Sequence, residues 1–280
     1  MRKLVRLALE EDIGRGDLTS RLALDESLST TAWVLVKQPC RLAGIGLVEA
    51  VFAEIDPAVS VERLAEDGQD VAGRQAVCKL TGSAASILAG ERTALNFLGR
   101  MTGVATSARE AVARLADSRA RLLDTRKTTP GWRELEKYAA AVGGAHNHRF
   151  ALDDMILIKD NHIALAGGIE RAIERVLARA PLFAKVEVEV DTLAQLRAAL
   201  RYRVDMILLD NMDLSQLRQA VELAQGRVPL EASGNMSLDR LVDVARTGVD
   251  YISMGALTHA VHSIDVGLDI LRGDGETAGE

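Results

Sequence analysis

Apolar positions along the chain change texture near residue 120. Before it, the pattern mixes periods. Leu4, Leu7 and Ala8 recur at helical spacing until the turn-rich Asp12-Ile13-Gly14-Arg15-Gly16-Asp17 stops them. Strand-like runs at Ala32 to Val36 and Ala76 to Leu80 flank a helical stretch near Leu47 to Glu54. From Glu91 to Ala116 a long helical pattern predicts two helices broken at Gly103.

Beyond it, short apolar runs recur at 121–124, 155–159, 186–190, 205–210, 228–233 and 249–254. Amphipathic helical stretches at 168–180, 192–201, 214–225 and 238–247 separate most of them. Thr192 with Gln195, and Asp213 with Gln216, have the spacing of capping boxes. Apolar strands alternating with helices predict βαβ units and a parallel sheet.

Such strands fit either an open doubly wound sheet or a barrel. The polar residues separate the two. Nearly every strand ends in chemistry: Asp124-Thr-Arg-Lys127, Lys159-Asp-Asn-His162, Glu187 and Glu189, Asp210-Asn211, Glu231-Ala-Ser-Gly234 and Ser253-Met-Gly255. Groups at all strand C-termini converge only if the strands form a ring, which predicts an incomplete α/β barrel.

Composition narrows the class. Hydrophobic residues make up 48% of the 280, enough for a full core, while aromatics are 3%, so aliphatic side chains do the packing. This length predicts one large domain and one small one. The net charge of −6 argues against a nucleic-acid partner. Two cysteines make no disulfide framework and predict a reduced, cytoplasmic setting. The opening Met1 to Gly14 turns acidic before any long apolar run, so neither a signal peptide nor a membrane span is expected there.

The rim carries four cations: Arg126, Lys127, Arg149 and Lys159. Two like charges about 4 Å apart repel by about 4 kcal/mol at an effective dielectric near 20. Salt bridges to Asp124, Asp154 and Asp160 account for any one of them. A small substrate with several negative charges accounts better for all four. Glu189 and Asp210 close neighbouring strands, and Mg²⁺ on a substrate's phosphates would offset such inward acids; pairing with Lys127 or Lys159 is the plainer account. Ser233-Gly234 and Gly255 suit close approach of backbone to phosphate. His146-Asn147-His148, with Lys159 and His162 downstream, fits the start of a metal-hydrolase site. The nearby cations argue against zinc, and His146 reads as incidental.

These segments together resemble the bacterial type of quinolinate phosphoribosyltransferase over almost the full length. The matches are Glu11 to Ser20, Glu91 to Asn96, Asp124 to Gly131, Gly143 to Arg149 and Leu157 to His162. Further on come Glu187 to Glu189, Leu209 to Asn211, Glu231 to Gly234 and Gly255 to His259. A molybdenum-transport branch of the same fold looks less similar. The resemblance implies an α/β sandwich domain over 1–103, a catalytic incomplete barrel over 104–261, and a last helix, 262–272, packed back on the first domain. It implies phosphoribosyl transfer to quinolinate with loss of carbon dioxide. It assigns Arg126, His148, Arg149 and Lys159 to the dicarboxylate, with Arg92 from the partner subunit of a homodimer, and it leaves room for a higher assembly of dimers. Lys127, Glu189, Asp210, Ser233, Gly234 and Gly255 fall to phosphoribosyl pyrophosphate with Mg²⁺. Lys127, Glu189 and Asp210 are the catalytic candidates, and Glu189 and Asp210 the metal candidates. Ala145, Ala151 and Asn235 stand where the family usually has Gly. A barrel hydrolase built on His146, His148 and Lys159, and a ligand-binding homologue without turnover, are the readings from other classes.

Overall fold

The computed structural model describes residues 1–270, which divide into two compact units. The first holds 1–109, 130–144 and the described residues from 261 onward. The second holds 110–129 and 145–260.

In the first unit, α1 (Arg2–Ile13) buries Val5 and Leu9, not Leu7, and ends at Gly14. Asp17 caps α2 (Leu18–Ala23) by accepting from the Ser20 N–H. β1 (Ser29–Val36) buries Ala32, Val34 and Val36, the alternation of a strand with one face on a core. β2 (Cys40–Arg41), α3 (Ile45–Ile55), β3 (Ser60–Arg63), β4 (Asp70–Val71) and β5 (Gln75–Ser83) follow. β5 pairs antiparallel with both β1 and β3, and β2 with β4.

Next, α4 (Ala84–Arg114) is one helix of 31 residues, not two. Gly103 does not break it. The glycine lets the His262 carbonyl approach so closely that a Cβ would collide with it. A glycine in a helical pattern has two explanations, a break or a close neighbour, and here the second holds.

The chain then gives β6 (Arg121–Leu123), α5 (Arg133–Val142) of the first unit, β7 (Ile156–Ile158), α6 (Asp160–Ala166) and α7 (Ile169–Leu177). β8 (Val186–Val190), α8 (Leu193–Ala199), β9 (Met206–Asp210), α9 (Leu214–Ala224), β10 (Leu230–Ser233), α10 (Leu238–Ala245), β11 (Tyr251–Ser253) and α11 (Ala256–His259) complete the second unit. Both expected capping boxes, Thr192 with Gln195 and Asp213 with Gln216, are present. Its six strands form one parallel sheet in the order β6-β11-β10-β9-β8-β7.

The sheet is an unclosed barrel. β6 and β7 are successive in the chain but lie at opposite ends of the strand order. The free side of β6 meets the 145–147 segment: His146 N donates to Leu122 O (2.8 Å) and Asp124 N to His146 O (3.0 Å).

The expected last helix is a strand. β12 (Val266–Ile270) pairs antiparallel with β1, so the first unit's sheet runs β12-β1-β5-β3. Val266, Leu268 and Ile270 alternate with Gly267 and Asp269, a period of two, and β1 offers an open edge. Residues 271 and 272 lie outside those described.

Candidate active site

Parallel strands bring the ends of β6 to β11 to one rim. Between them lies a cavity of about 610 Å³. Every residue that the resemblance assigns to substrate lines it except Arg92. Arg92 stands on α4 of the first unit, exposed.

The cationic wall starts at the end of β6. Asp124 is fully buried and accepts from Asn147 Nδ2 (2.7 Å) and from the His148 N–H (2.8 Å). It therefore anchors the loop carrying His148 and Arg149. Arg126 Nε is buried without a hydrogen-bond partner among the described residues. Arg149, 8% exposed, donates from Nη1 to Met155 O (3.2 Å). Burial, and then neighbouring Arg126, hold its pKa below the ordinary guanidinium value. Lys159 lies 3.3 Å from Glu189. Its N–H donates to His162 Nδ1 (2.9 Å), so His162 serves as a helix cap for α6. Thr258 Oγ1 donates to Lys127 O (2.7 Å), which fixes the backbone under that lysine.

His148 faces inward. Its Nε2 lies 3.1 Å from Glu187 and 3.4 Å from Glu231, two carboxylates with no exposure. The carboxylate oxygens have no well-formed hydrogen bond among the described residues. Burial opposes charge on the ring, but the two acids outweigh it and push the imidazole up to about 10. Burial, only partly offset by His148, also pushes Glu187 up. Both shifts say that this cluster keeps an extra proton at neutral pH. Nδ1 accepts from the Arg149 N–H (2.7 Å), which fixes the ring so that Nε2 is turned toward the two acids.

The three residues are spaced as metal ligands can be. A ring that accepts at Nδ1, however, has no lone pair at Nε2 to offer. His146, the other histidine of the hydrolase reading, is exposed and does not line the cavity.

Acidic and glycine positions line the same cavity beside these cations. Glu189 is buried and its carboxyl is pushed up by burial, with Lys159 offsetting and Asp210 adding to the shift. Gly234 has φ +92°, and a Cβ there would collide with Asn211. A Cβ on Gly255 would come 2.9 Å from Lys127 Cδ. These close approaches leave backbone exposed to a ligand where side chains would fill the space.

Sequence reasoning missed Asp124 and Thr258 as supports for the loops bearing the site, and the burial of Glu187 and Glu231 with His148. Asp124 carried a signal: an acid at a strand end next to two cations. Nothing in the local sequence of Thr258 marks it.

Comparison with known proteins finds similar chains over nearly the full length. The family model for the quinolinate phosphoribosyl transferase C-terminal domain matches residues 104–269, and that for the N-terminal domain matches 17–102. The chain is similar to a probable nicotinate-nucleotide pyrophosphorylase (carboxylating) of Bacillus subtilis, at 41% identity over 96% of this chain and 93% of the relative. It is 41% identical to a mitochondrial quinolinate phosphoribosyltransferase (decarboxylating) of Nicotiana tabacum, covering 96% of this chain and 82% of that one. Among solved structures, the nicotinate-nucleotide pyrophosphorylase of Francisella tularensis superposes with a TM-score of 0.93 at 39% identity, covering 96% and 95% of the two chains.

Proposed function

The chain belongs to the quinolinate phosphoribosyltransferase family, and from that premise we propose how its own residues divide the work. The reaction joins quinolinate to phosphoribosyl pyrophosphate, releases pyrophosphate and carbon dioxide, and gives nicotinate mononucleotide for NAD biosynthesis.

One observation carries the division. Arg126 holds a buried, unpartnered Nε beside Arg149, whose own charge Arg126 disfavours. Two guanidinium groups crowded at one wall call for an anionic partner. Arg126, Arg149 and Lys159 neutralise the two carboxylates and turn the ring nitrogen toward the anomeric carbon. His148 contributes by holding the Arg149 backbone. Arg92 completes this wall from the partner subunit of a homodimer, in which each exposed Arg92 reaches the other chain's site; dimers gathering into a higher assembly belong to the same proposal.

Lys127, Glu189, Asp210, Ser233, Gly234 and Gly255 take phosphoribosyl pyrophosphate. Glu189 and Asp210 fit a divalent cation: they are neighbouring acids on one wall, and burial already disfavours the charge on Glu189. Mg²⁺ held there with the pyrophosphate would supply charge neutralisation of the leaving group. Lys127 draws charge toward the departing pyrophosphate, and the two acids stabilise the cationic sugar that forms. Acceleration comes from position and fixed charge, without a protein nucleophile. Loss of the 2-carboxylate as carbon dioxide leaves its electron pair on the ring carbon beside the quaternary nitrogen, whose positive charge stabilises it until a proton from solvent takes the carboxylate's place. The buried free thiols of Cys40 and Cys78 agree with a reduced, cytoplasmic setting.

The test is direct. The protein is incubated with quinolinate, phosphoribosyl pyrophosphate and Mg²⁺, and carbon dioxide and nicotinate mononucleotide are measured. Nicotinate, with one carboxylate fewer, turns over poorly because it leaves a cation unpaired. Equal kcat/KM for the two acids would overturn the dicarboxylate assignment.

A further inference from the structure

The turn after β10 runs Ser233-Gly234-Asn235-Met236 along the cavity, and Asn211, directly after β9, lies beneath it. Asn211 (φ +53°) and Asn235 (φ +48°) are both left-handed, as is Gly234 between them in space. Asparagine is among the few side chains that enter this region readily, because its amide hydrogen-bonds locally.

Those local bonds form a chain. Asn211 Nδ2 donates to Asp210 Oδ2 (2.7 Å), and Asn235 Nδ2 donates to Asn211 Oδ1 (3.1 Å). The charged end fixes the order: a carboxylate only accepts, so Asn211 turns its nitrogen to Asp210 and its oxygen to Asn235. Two more bonds hold the same turn. Asn211 N donates to Ser233 O (3.0 Å), and Arg240 Nη1 donates to Asn235 O (3.1 Å). Gly234 rests on the Asn211 amide with no room for a Cβ.

We propose that Asn211 and Asn235 are positioning residues that tie Asp210 to the 233–236 turn, so that the seat for the substrate's sugar phosphate and the orientation of this acid are set together before binding. The proposal rests on the division of the site given above. Neither asparagine is assigned to the reacting atoms. Gly at 235, usual in the family this chain resembles, satisfies the backbone but leaves the turn free to move. Asn satisfies it and staples the turn to β9. A seat ordered in advance loses less entropy on binding.

The experiment compares Asn235→Gly, Asn235→Asp, Asn211→Gly and the double glycine variant with the parent protein. Glycine keeps the left-handed backbone and removes only the staple. The probes are ribose 5-phosphate alone, phosphoribosyl pyrophosphate with Mg²⁺, and quinolinate, each by calorimetry, together with kcat and KM. Asn235→Gly is expected to weaken ribose 5-phosphate roughly five- to tenfold, the worth of about one hydrogen bond. Its KM for phosphoribosyl pyrophosphate rises to match, kcat stays within about twofold, and quinolinate binding is unchanged. Asn235→Asp weakens the same ligands further, since two oxygens then face each other. Asn211→Gly also frees Asp210, so it lowers kcat as well. For ribose 5-phosphate the double variant is no worse than Asn211→Gly, because the shared bond is already gone.

Unchanged ribose 5-phosphate binding in Asn235→Gly, or losses that simply add in the double variant, would overturn the coupling while leaving the division of the site intact. Ribose 5-phosphate that competes with quinolinate in the parent protein would overturn the division itself.

Discussion

Replacing Arg126 with glutamine should make the empty protein more stable and the substrate complex weaker. Glutamine keeps a polar side chain but removes a charge whose Nε is buried without a hydrogen-bond partner among the described residues. In the empty site that charge faces Arg149, whose own protonation it disfavours. Relief of this repulsion is worth on the order of 1 kcal/mol, after allowing for solvent around a half-buried guanidinium. That corresponds to a rise in Tm of about 2 °C for a chain of this size. With quinolinate present the sign reverses. A charge-assisted hydrogen bond contributes about 1.5–3 kcal/mol, so the quinolinate Kd should rise roughly 10- to 150-fold. Differential scanning calorimetry of the empty protein and titration calorimetry with quinolinate read the two effects separately. A variant that loses stability without ligand, or that binds quinolinate within about threefold of the parent, would refute the reasoning. Arg126 would then be a structural residue with a partner that appears only in solution.

Three further outcomes follow from the same geometry. Arg149→Ala should weaken quinolinate far more than phosphoribosyl pyrophosphate, and Asp210→Ala the reverse; calorimetry with each ligand showing equal losses in both variants would count against two separate walls. If Arg92 acts across a dimer, co-refolding inactive Arg92→Ala with inactive Lys127→Ala should restore activity at about a quarter of all sites, whereas background activity in demonstrably mixed dimers places Arg92 within its own chain. Gly103→Ala should destabilise the protein by about 1–3 kcal/mol despite alanine's better helix propensity, because the new Cβ meets the His262 carbonyl; an unchanged or raised Tm would mean that this neighbour yields freely.

The six strands of the parallel sheet were legible because each is a short apolar run with polar chemistry at its end, and period and placement agreed. Both capping boxes could be read from four residues apiece. What the sequence could not show was distance in space. Gly103 reads as a break unless one knows that the His262 carbonyl lies against it. Val266 to Ile270 reads as a helix if the open edge of β1 is out of view, since five residues cannot settle period against tertiary pairing. Eight site residues sit at or just past strand ends, where alternation and polarity expose them to inspection, while His148 and Arg149 lie in the loop before β7. Thr258, which holds Lys127 through its backbone carbonyl, leaves no such trace, and Asp124 shows as a strand-end acid but not as the anchor of the His148 loop. Glu187 was visible as an inward acid, but its companion Glu231 is two strands away in the sheet, and only the fold brings both to His148.

The strand order also sets a timetable for synthesis. β6 is the first strand of its sheet to be made, yet its ladder partner is β11, with Arg121 opposite Tyr251. At about 5–20 residues per second, those 130 positions take the ribosome roughly 6 to 26 seconds. The sheet of the first unit waits longer still, since Ala32 of β1 is finally matched by Ile270. Through that interval unpaired edges are open to pairing with other chains. The segment around His146, which covers the free side of β6 soon after it emerges, therefore gives the nascent chain an early shield at one edge, and swapping it for a flexible linker should raise aggregation during synthesis before any effect on the finished enzyme is measured.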